Sequence, residues 1–520
     1  MVAGADAMDT ASFSHPDTNP AAVRAALATA GFEVTEPRPL RRTLLDTFDG
    51  RLNAAGLRLE LQEAKGFELA LAEAGAGTAR VSVTGPPRFA GDLPVGPVRA
   101  RLAPLLEIRA LLPVMTVTGA RSAALQRDRA GKVRVTAAVY EQLGVEGRSG
   151  TGPAWVVEVG ELAGYPKEAG RTCALLEKLK LRRHATDVLD LLAAGAGVDL
   201  RGFPGSPAVA LDVGEPALDG VRRVLDHLAA TMEANWQGTV DELDAEFLHD
   251  LRVAVRRSRS VLAESKWVLA SAVRDRYREG FGWLGTATGP ARDLDVYVIE
   301  WDNYVAPLGA VASQTLAPVL DHIGRQRAAE HLILGELLRS ARYGDLVGGW
   351  RRWLAGPSAG GRDAQRALGP VVAERTQRAQ TLLLEQGRSI GPASPAEELH
   401  ELRKDAKKLR YLLECFGSVF AAGPRKSFVQ RLKALQDNLG EHQDAEVHAA
   451  QLVEISRTLH AGGAVGPDTL LAMGQLTEHL DRRRRGARDE FAERFRAYDT
   501  KQTGRTFADA LAPAVGRSTP

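Results

Sequence analysis

Two segments of this 520-residue chain carry the side chains with the clearest chemical potential. The first holds His249, Arg252, Arg256, Arg257 and Arg259. The second holds His400, Arg403, Lys404, Lys407, Lys408, Arg410 and Tyr411. On a helix with His249 at zero, Arg252, Arg256 and Arg259 fall near ~300°, ~340° and ~280°. Leu248, Leu251, Val255 and Leu262 gather between about 200° and 260°, an apolar face beside the cations. In the second segment His400, Arg403, Lys404, Lys407 and Arg410 form the basic stripe, and Leu399, Leu402, Leu409 and Leu413 the apolar one. Like charges so spaced repel by a few tenths of a kcal/mol per pair. A row without interspersed acids on its own stripe therefore suits a ligand with closely spaced negative charges. Arginine forks and lysine point charges both match phosphate oxygens, and histidine gains charge beside them.

Other residues are candidates of lower specificity. Arg292-Asp293-Leu294-Asp295, with Asp444 and Glu446 in the second segment, either holds a metal, orients the arginines by ion pairing or caps a helix. Ion pairing is the expectation, with no metal site. Arg339, Arg342, Arg375 and Arg378 are further cations at helical spacing that join the candidate site. Trp350, Trp353 and Leu354 read as core, and Arg482–Arg485 as a solvated helix end. No nucleophile, general-base constellation or phosphate-binding glycine loop occurs in this half, so no catalytic residue is assigned.

The elements that position these groups are duplicated. Residues 248–296 align without a gap onto 399–447 at a constant offset of 151. Leu248-His249-Asp250-Leu251-Arg252 matches Leu399-His400-Glu401-Leu402-Arg403; Gly289 matches Gly440 and Asp293 matches Asp444. From Val221 onward the chain is helical in pattern, with breaks at Gly289–Pro290, Gly356–Gly361, Gly391–Pro392 and Ala421–Pro424, as an antiparallel bundle requires. Residues 1–193 read instead as α+β. Strand-like runs at Leu57–Leu61, Phe67–Leu71, Ala79–Val83, Val114–Val117, Lys132–Val139 and Trp155–Val159 are flanked by helices at Ala21–Ala30 and Arg171–Leu192. Residues 194–219, dense in glycine and proline, form the linker, and the helical domain runs over 220–513.

Composition bounds the rest. A net charge of +2, from 67 basic and 65 acidic residues, gives no bulk electrostatic attraction, so a basic site must come from local patterning. Cys173 and Cys415 lack a CxxC spacing and are expected to be reduced and buried. No secretory signal pattern opens the chain and no stretch approaches ~20 apolar residues, so a cytoplasmic protein without a membrane span is expected.

The doubled His-x-x-Arg with clustered Arg/Lys, the Arg-Asp-x-Asp-Val run and the second copy's His-x-Leu-Arg-Lys-x-x-Lys-x-Leu-Arg-Tyr resemble the CHAD domain (conserved histidine α-helical domain). The resemblance covers about Val221 to Pro513. It implies two pseudo-symmetric helical bundles around a basic pore that binds inorganic polyphosphate, and association with polyphosphate granules. Carried over by position, the phosphate contacts are the two rows named above; Val253 stands where the second copy has Lys404. Leu45-Asp46-Thr47-Phe48-Asp49-Gly50-Arg51-Leu52 and Gly56-Leu57-Arg58-Leu59 are in turn similar to the CYTH domain, an antiparallel β tunnel whose active members hydrolyse triphosphates with Mg²⁺ or Mn²⁺. The Glu-x-Glu-x-Lys signature of that family is absent; Phe13-Ser14-His15-Pro16 stands near its place, and Phe67–Leu71 carries an acid where a base is expected. Arg58, Arg121, Arg134, Glu158 and Lys178 are the remnants. The expectation is a degenerate, non-catalytic CYTH-like domain, with no cofactor, followed by a polyphosphate-binding CHAD-like domain. The alternatives are a metal-dependent triphosphatase and a binder of RNA or DNA backbones. Against the latter, the basic helices lack interleaved aromatics, with Tyr411 alone nearby.

Overall fold

Apolar residues at every second position, Leu57, Leu59 and Leu61 and then Phe67, Leu69 and Leu71, share one core along Leu57–Glu63 and Phe67–Glu73, which with Gly77–Val83 form successive hairpins of an antiparallel sheet. The computed structural model describes residues 9–63, 66–73, 77–149, 152–162, 164–203, 209–357 and 360–516. Residues 204–208 of the expected linker lie outside them. Contacts divide the chain into two units, Met1–Pro204 and Gly205–Pro520.

In the first unit the strands are β1 (Asp9–Ser14), β2 (Glu33–Val34), β3 (Arg38–Asp46), β4 (Leu57–Glu63), β5 (Phe67–Glu73), β6 (Gly77–Val83), β7 (Leu112–Arg127), β8 (Val133–Val145), β9 (Val156–Glu161) and β10 (Arg182–Arg183). They order as β10-β1-β9-β8-β7-β3-β4-β5-β6, with β2 on β7, and the pairings are antiparallel. The helices are α1 (Pro20–Thr29), α2 (Arg51–Ala54), α3 (Pro97–Leu106), α4 (Pro166–Lys178) and α5 (Val188–Ala196). Val135, Ala137, Val139 and Val157 bury one face against α1 and α4, through Val23, Leu27 and Leu176. On the other face Leu44, Met115, Val117 and Val156 pack against Val188, Leu189 and Leu192 of α5.

The strand-like runs read from the sequence fall on strands, with Lys132 and Trp155 standing one residue before β8 and β9, but the single helix expected over Arg171–Leu192 is two. The chain turns at Lys180, which takes φ 63°, and buries Leu181 with Leu176. It then pairs Arg182 and Arg183 with β1. Asp187 restarts the helix by accepting from the Asp190 amide.

Gly50 and Gly202 mark a close backbone crossing beneath the Phe48–Phe203 stack, whose centroids are 5.7 Å apart. Gly50 has φ +68°, and a Cβ there would lie 2.1 Å from the Arg201 carbonyl oxygen. Backbone cannot swing aside as a side chain can. Gly50→Ala is expected to destabilise the unit by at least about 2 kcal/mol, read as a lower midpoint in calorimetric unfolding.

The second unit holds α6 (Ala217–Val240), α7 (Ala245–Glu264), α8 (Ser271–Ala287), α9 (Gly289–Val305), α10 (Ala310–Thr315), α11 (Ala317–Arg339), α12 (Ala341–Ala355), α13 (Leu368–Ser389), α14 (Ala396–Cys415), α15 (Ala422–Ala461), α16 (Pro467–Tyr498) and α17 (Lys501–Leu511). One core runs through α6, α7, α8, α12, α13 and α14. A second, around Tyr297, Trp301, Leu452 and Leu476, joins α9, α11, α15 and α16. The duplicated sequence is not duplicated in every boundary. Gly289 opens α9 after a break, whereas its equivalent Gly440 lies inside the unbroken α15.

Trp350 and Leu354 are buried, and Trp353 packs beside them. Arg482–Arg485 is not a helix end; it occupies the middle of α16. There Arg482 and Arg485 reach Glu478, Arg484 reaches Asp481, and Arg483 reaches Glu441 on α15. Cys173 and Cys415 are both unbonded, the first half-buried, the second buried with its thiol pushed up to about 12 by desolvation. Among the described residues no helix is long and apolar enough to cross a membrane.

Candidate functional site

Asp244 begins α7 by accepting from the amides of Glu246 and Phe247 at 2.9 and 3.2 Å. Phe247, Leu248, Leu251, Ala254, Val255, Val261 and Leu262 then bury one side of the helix. Arg252, Arg256 and Arg257 are left half-buried at its margin and Arg259 exposed. On α14 the buried side is Leu399, Leu402, Ala406, Leu409, Leu412 and Leu413. Arg403, Lys407, Lys408 and Arg410 are half-buried and Lys404 exposed.

The two helices pack together, and ion pairs cross between them in both directions. Arg257 of α7 meets Glu414 of α14 at 2.6 Å, and Lys408 of α14 meets Glu264 of α7 at 2.7 Å. Arg257 and Lys408 are equivalents in the repeat. Arg252 donates to the Gly285 carbonyl at 2.9 Å and the Thr288 hydroxyl at 2.7 Å, at the end of α8. Arg403 reaches Asp444 at 3.0 Å.

Electrostatics shows which groups share one space. Burial, then the neighbouring Arg256, brings Arg252 down to about 10 against the pull of Asp293. Burial, Arg403 and Arg256 bring Lys407 down to about 7, with Arg410 adding and Asp444 opposing. Burial raises Asp293; Arg252 opposes it and Asp444 adds to it. Thus Arg256 acts on Lys407 and Asp444 on Asp293, and each pair consists of residues 151 positions apart. The buried Nε atoms of Arg256, Arg257, Arg403 and Arg410 have no hydrogen-bond partner among the described residues. Arg410 Nε lies 3.5 Å from a Glu414 carboxylate oxygen, an ion pair without a hydrogen bond, and the other three are unsatisfied buried donors, which are expensive.

The remaining candidates fall in different places. Tyr411 is buried with its ring under Arg257 and Arg410, at 5.8 and 5.6 Å, so it supports the cations from beneath. Lys404 pairs with Glu401. Arg342 lies over the Trp283 ring at 4.1 Å; Arg339 and Arg378 are exposed and Arg375 half-buried. None of these four is among the charges that act most strongly on Arg252, Asp293 or Lys407. His400 Nδ1 lies 2.5 Å from Gln443 Oε1. His249 sits with Glu246 and Asp250, three potential ligand atoms within 4.8 Å of one another, and the Arg292 guanidinium lies 3.8 Å from Glu246.

The paired acids orient cations. Asp295 is buried and accepts from Arg327 at 2.6 Å and from the His331 ring at 2.8 Å. Asp293 faces Arg252. Both stand inside α9 and cap nothing.

In the first unit, Arg58, Arg121 and Glu158 come together on the α5-facing side of the sheet, with groups the sequence did not single out. Arg42 pairs with Glu60 at 2.5 Å and, with Arg121, lies over the Tyr140 ring. Burial works against the Arg42 charge, yet Glu60, Tyr140 and Glu158 hold it above its ordinary value. Burial pushes the Glu158 carboxyl up, while Arg42 and a hydrogen bond from Tyr140 oppose. Arg58 is held by Asp187 at 2.5 Å and Asp190 at 2.6 Å. Arg134 pairs elsewhere, with Glu168 of α4, and Lys178 is exposed. The signal for Arg42 and Glu60 was available: strand pairing of Leu44 with Glu60 puts both on the face of Leu44, two residues from Arg42.

Residues 223–453 match the CHAD domain family. The crystal structure of the CHAD domain from the plant Ricinus communis is 24% identical, covering 56% of this chain and 95% of that one with a TM-score of 0.47. PptA from Streptomyces chartreusis is 18% identical over 54% of this chain and 99% of its own, with a TM-score of 0.45. Two uncharacterized proteins of Mycobacterium tuberculosis, from strains CDC 1551 and H37Rv, are each 26% identical over 311 residues, 54% of this chain. The chain spans about half the length, 55%, of these curated relatives.

Proposed function

From the premise of a CHAD domain over residues 223–453, we propose that the second unit binds inorganic polyphosphate without cleaving it, and so attaches the protein to polyphosphate granules. One observation carries this reading. Arg256 and Lys407, equivalent positions of the two copies, are close enough for one to help strip the other of its proton. A local twofold relating the copies would account for that meeting and for the nearness of Asp293 and Asp444. Cations held together at such cost suit a chain of anions that relieves their repulsion. Polyphosphate has no bases to read, so chain length governs affinity, and counterion release makes binding fall steeply with salt.

The test is retention on immobilised long-chain polyphosphate. Wild type is expected to be retained at low salt. The double variants Arg252→Glu with Arg403→Glu and His249→Ala with His400→Ala should elute early, the first more severely. Equal retention of all three refutes the site. RNA should compete more weakly than polyphosphate at equal phosphate concentration.

In this reading the first unit is non-catalytic. Triphosphate hydrolysis would need carboxylates to hold Mg²⁺ or Mn²⁺ and cations to hold phosphate. Glu60 is engaged by Arg42, Asp187 and Asp190 by Arg58, and the buried Glu158 is driven toward its neutral form. That arrangement does not fit a divalent ion. Incubation of the full chain with triphosphate and either metal is expected to release no phosphate above background. Turnover that Glu158→Gln abolishes would overturn this half of the proposal.

A further inference from the structure

Between α8 and α12 lies a cleft of about 430 Å³, with Val273, Arg276 and Tyr277 on one wall and Gly349, Arg352 and Trp353 on the other. It belongs to neither basic row. Arg252 bonds to Gly285 and Thr288 near the far end of α8, roughly 14 Å along the helix axis from Arg276. Its floor is aromatic: Trp353 stacks on Trp350 at 4.9 Å, and Tyr277 meets Trp350 edge-on at 4.5 Å.

Three polar groups converge over Gly349. From the position a Cβ would take there, the Tyr277 hydroxyl lies at 3.5 Å, Arg276 Nη2 at 3.6 Å and Arg352 Nη2 at 3.9 Å. Neighbouring arginines are neutralised, Arg274 by Asp275 at 2.9 Å and Arg351 by Asp226 and Glu233 at 2.6 Å each. Among the described residues, Arg276 and Arg352 have neither an ion-pair nor a hydrogen-bond partner. Both side chains are exposed, so water screens their mutual repulsion, and two guanidinium groups within 4 Å of one point offer an entering anion donors from both walls. The indole Nε1 atoms of Trp350 and Trp353 beneath them are buried without an acceptor among the described residues.

We propose that this cleft is a second anion site, distinct from the paired basic helices, and that it takes an aromatic phosphate monoester. The forked donors of Arg276 and Arg352 and the Tyr277 hydroxyl bind the phosphate oxygens over Gly349, a geometry better matched to three oxygens than to a carboxylate's two. The flat apolar group of the ligand lies against Trp353 and Val273, where a mainly apolar wall rewards burial of a ring. Gly349 is what allows the phosphate to come so close to α12.

That role supplies a variant that separates binding from folding. A Cβ at Gly349 makes only ordinary van der Waals contacts, and alanine in a helix interior is intrinsically favoured over glycine. Gly349→Ala therefore folds, yet its methyl group occupies the point on which the three donors converge. The experiment titrates the full chain with phenyl phosphate, using calorimetry and quenching of tryptophan emission, with inorganic phosphate and benzoate as comparison probes. Wild type is expected to bind phenyl phosphate saturably, at least tenfold tighter than either comparison. Gly349→Ala, and Arg276→Gln with Arg352→Gln, should each weaken binding tenfold or more, while Arg256→Glu in the basic row leaves it unchanged. Non-saturable binding overturns the proposal. So does binding that survives Gly349→Ala, or that is lost in Arg256→Glu, which would place the ligand in the cationic cluster. Benzoate binding as tightly as phenyl phosphate overturns the assignment of ligand class.

Discussion

If the second unit binds polyphosphate as proposed, its affinity is expected to fall as pH rises above 7, and Lys407→Arg to flatten that fall. Lys407 is brought from an ordinary value of 10.5 to about 7 by burial and then by Arg403, Arg256 and Arg410, against Asp444. At pH 6 it is charged; at pH 8.5 it is mostly neutral. A bound polyanion favours the ammonium form, so binding above pH 7 must take up a proton at this site. One such proton weakens apparent affinity by up to about tenfold per pH unit until the pKa of the bound state is reached. Ordinary imidazoles titrate lower, near ~6.5, so the window from 7.5 to 9 isolates the lysine. Calorimetry at pH 8.5 in two buffers of different ionisation enthalpy reads the uptake directly. It should approach one proton per site in wild type and vanish in Lys407→Arg, whose guanidinium keeps its charge. Affinity that is level between pH 7.5 and 9, with no proton uptake, would sink the assignment. Free-state stability runs the other way. The unfolded chain, with Lys407 at its ordinary value, binds more protons between about pH 7 and 10.5. This group's contribution to stability is therefore least favourable below 7 and improves across that window.

The cations were legible in sequence because they are local. His249 to Arg259 and His400 to Tyr411 declare themselves by helical spacing, and the repeat declares that they form a set. What they do to one another was not legible. That Arg256 lies near Lys407 depends on how α7 packs against α14, a tertiary fact with no signature in either segment. The acids were half legible: Arg292-Asp293-Leu294-Asp295 announces charge, but Asp295 turns to Arg327 and His331 on α11 while Asp293 turns to Arg252. Tyr411, carried over as a ligand contact by motif, is buried at 4% exposure because its position on α14 faces the core. In the sheet domain the strand runs were clear from period-two alternation, yet the helix over Arg171–Leu192 hid a turn at Lys180. No glycine marks that turn, since a lysine accepts the positive φ. Arg42 and Glu60 went unnoticed because each looks like an ordinary strand charge until β3 and β4 are put in register.

The cost of the cation cluster gives its sharpest test, a substitution expected to raise stability while destroying binding. Arg256 depresses Arg252, Arg292 and Lys407 together, and its own buried Nε atom has no partner. Arg256→Glu removes that repulsion and places a carboxylate beside Lys407, whose ammonium form it would favour. No hydrogen bond is lost by removing a donor that had no acceptor; the pull of Arg256 on Asp293 is lost, with Arg252 and Arg292 still facing that carboxylate. The folded state should gain on the order of 1 kcal/mol, raising the midpoint of the helical unit by about 2–4 °C at pH 7. At the same place a bound chain of phosphates would meet a negative charge instead of a positive one. Affinity should drop by roughly a hundredfold or more, and the slope of log affinity against log salt should become shallower by one to two. Natural sites commonly hold groups that folding alone would not select, so opposite signs are the mark of a functional residue. If Arg256→Glu lowered stability and left polyphosphate retention intact, the arginine would be a structural element of the α7–α14 contact. The pairing of repeat equivalents would then be geometry without a ligand.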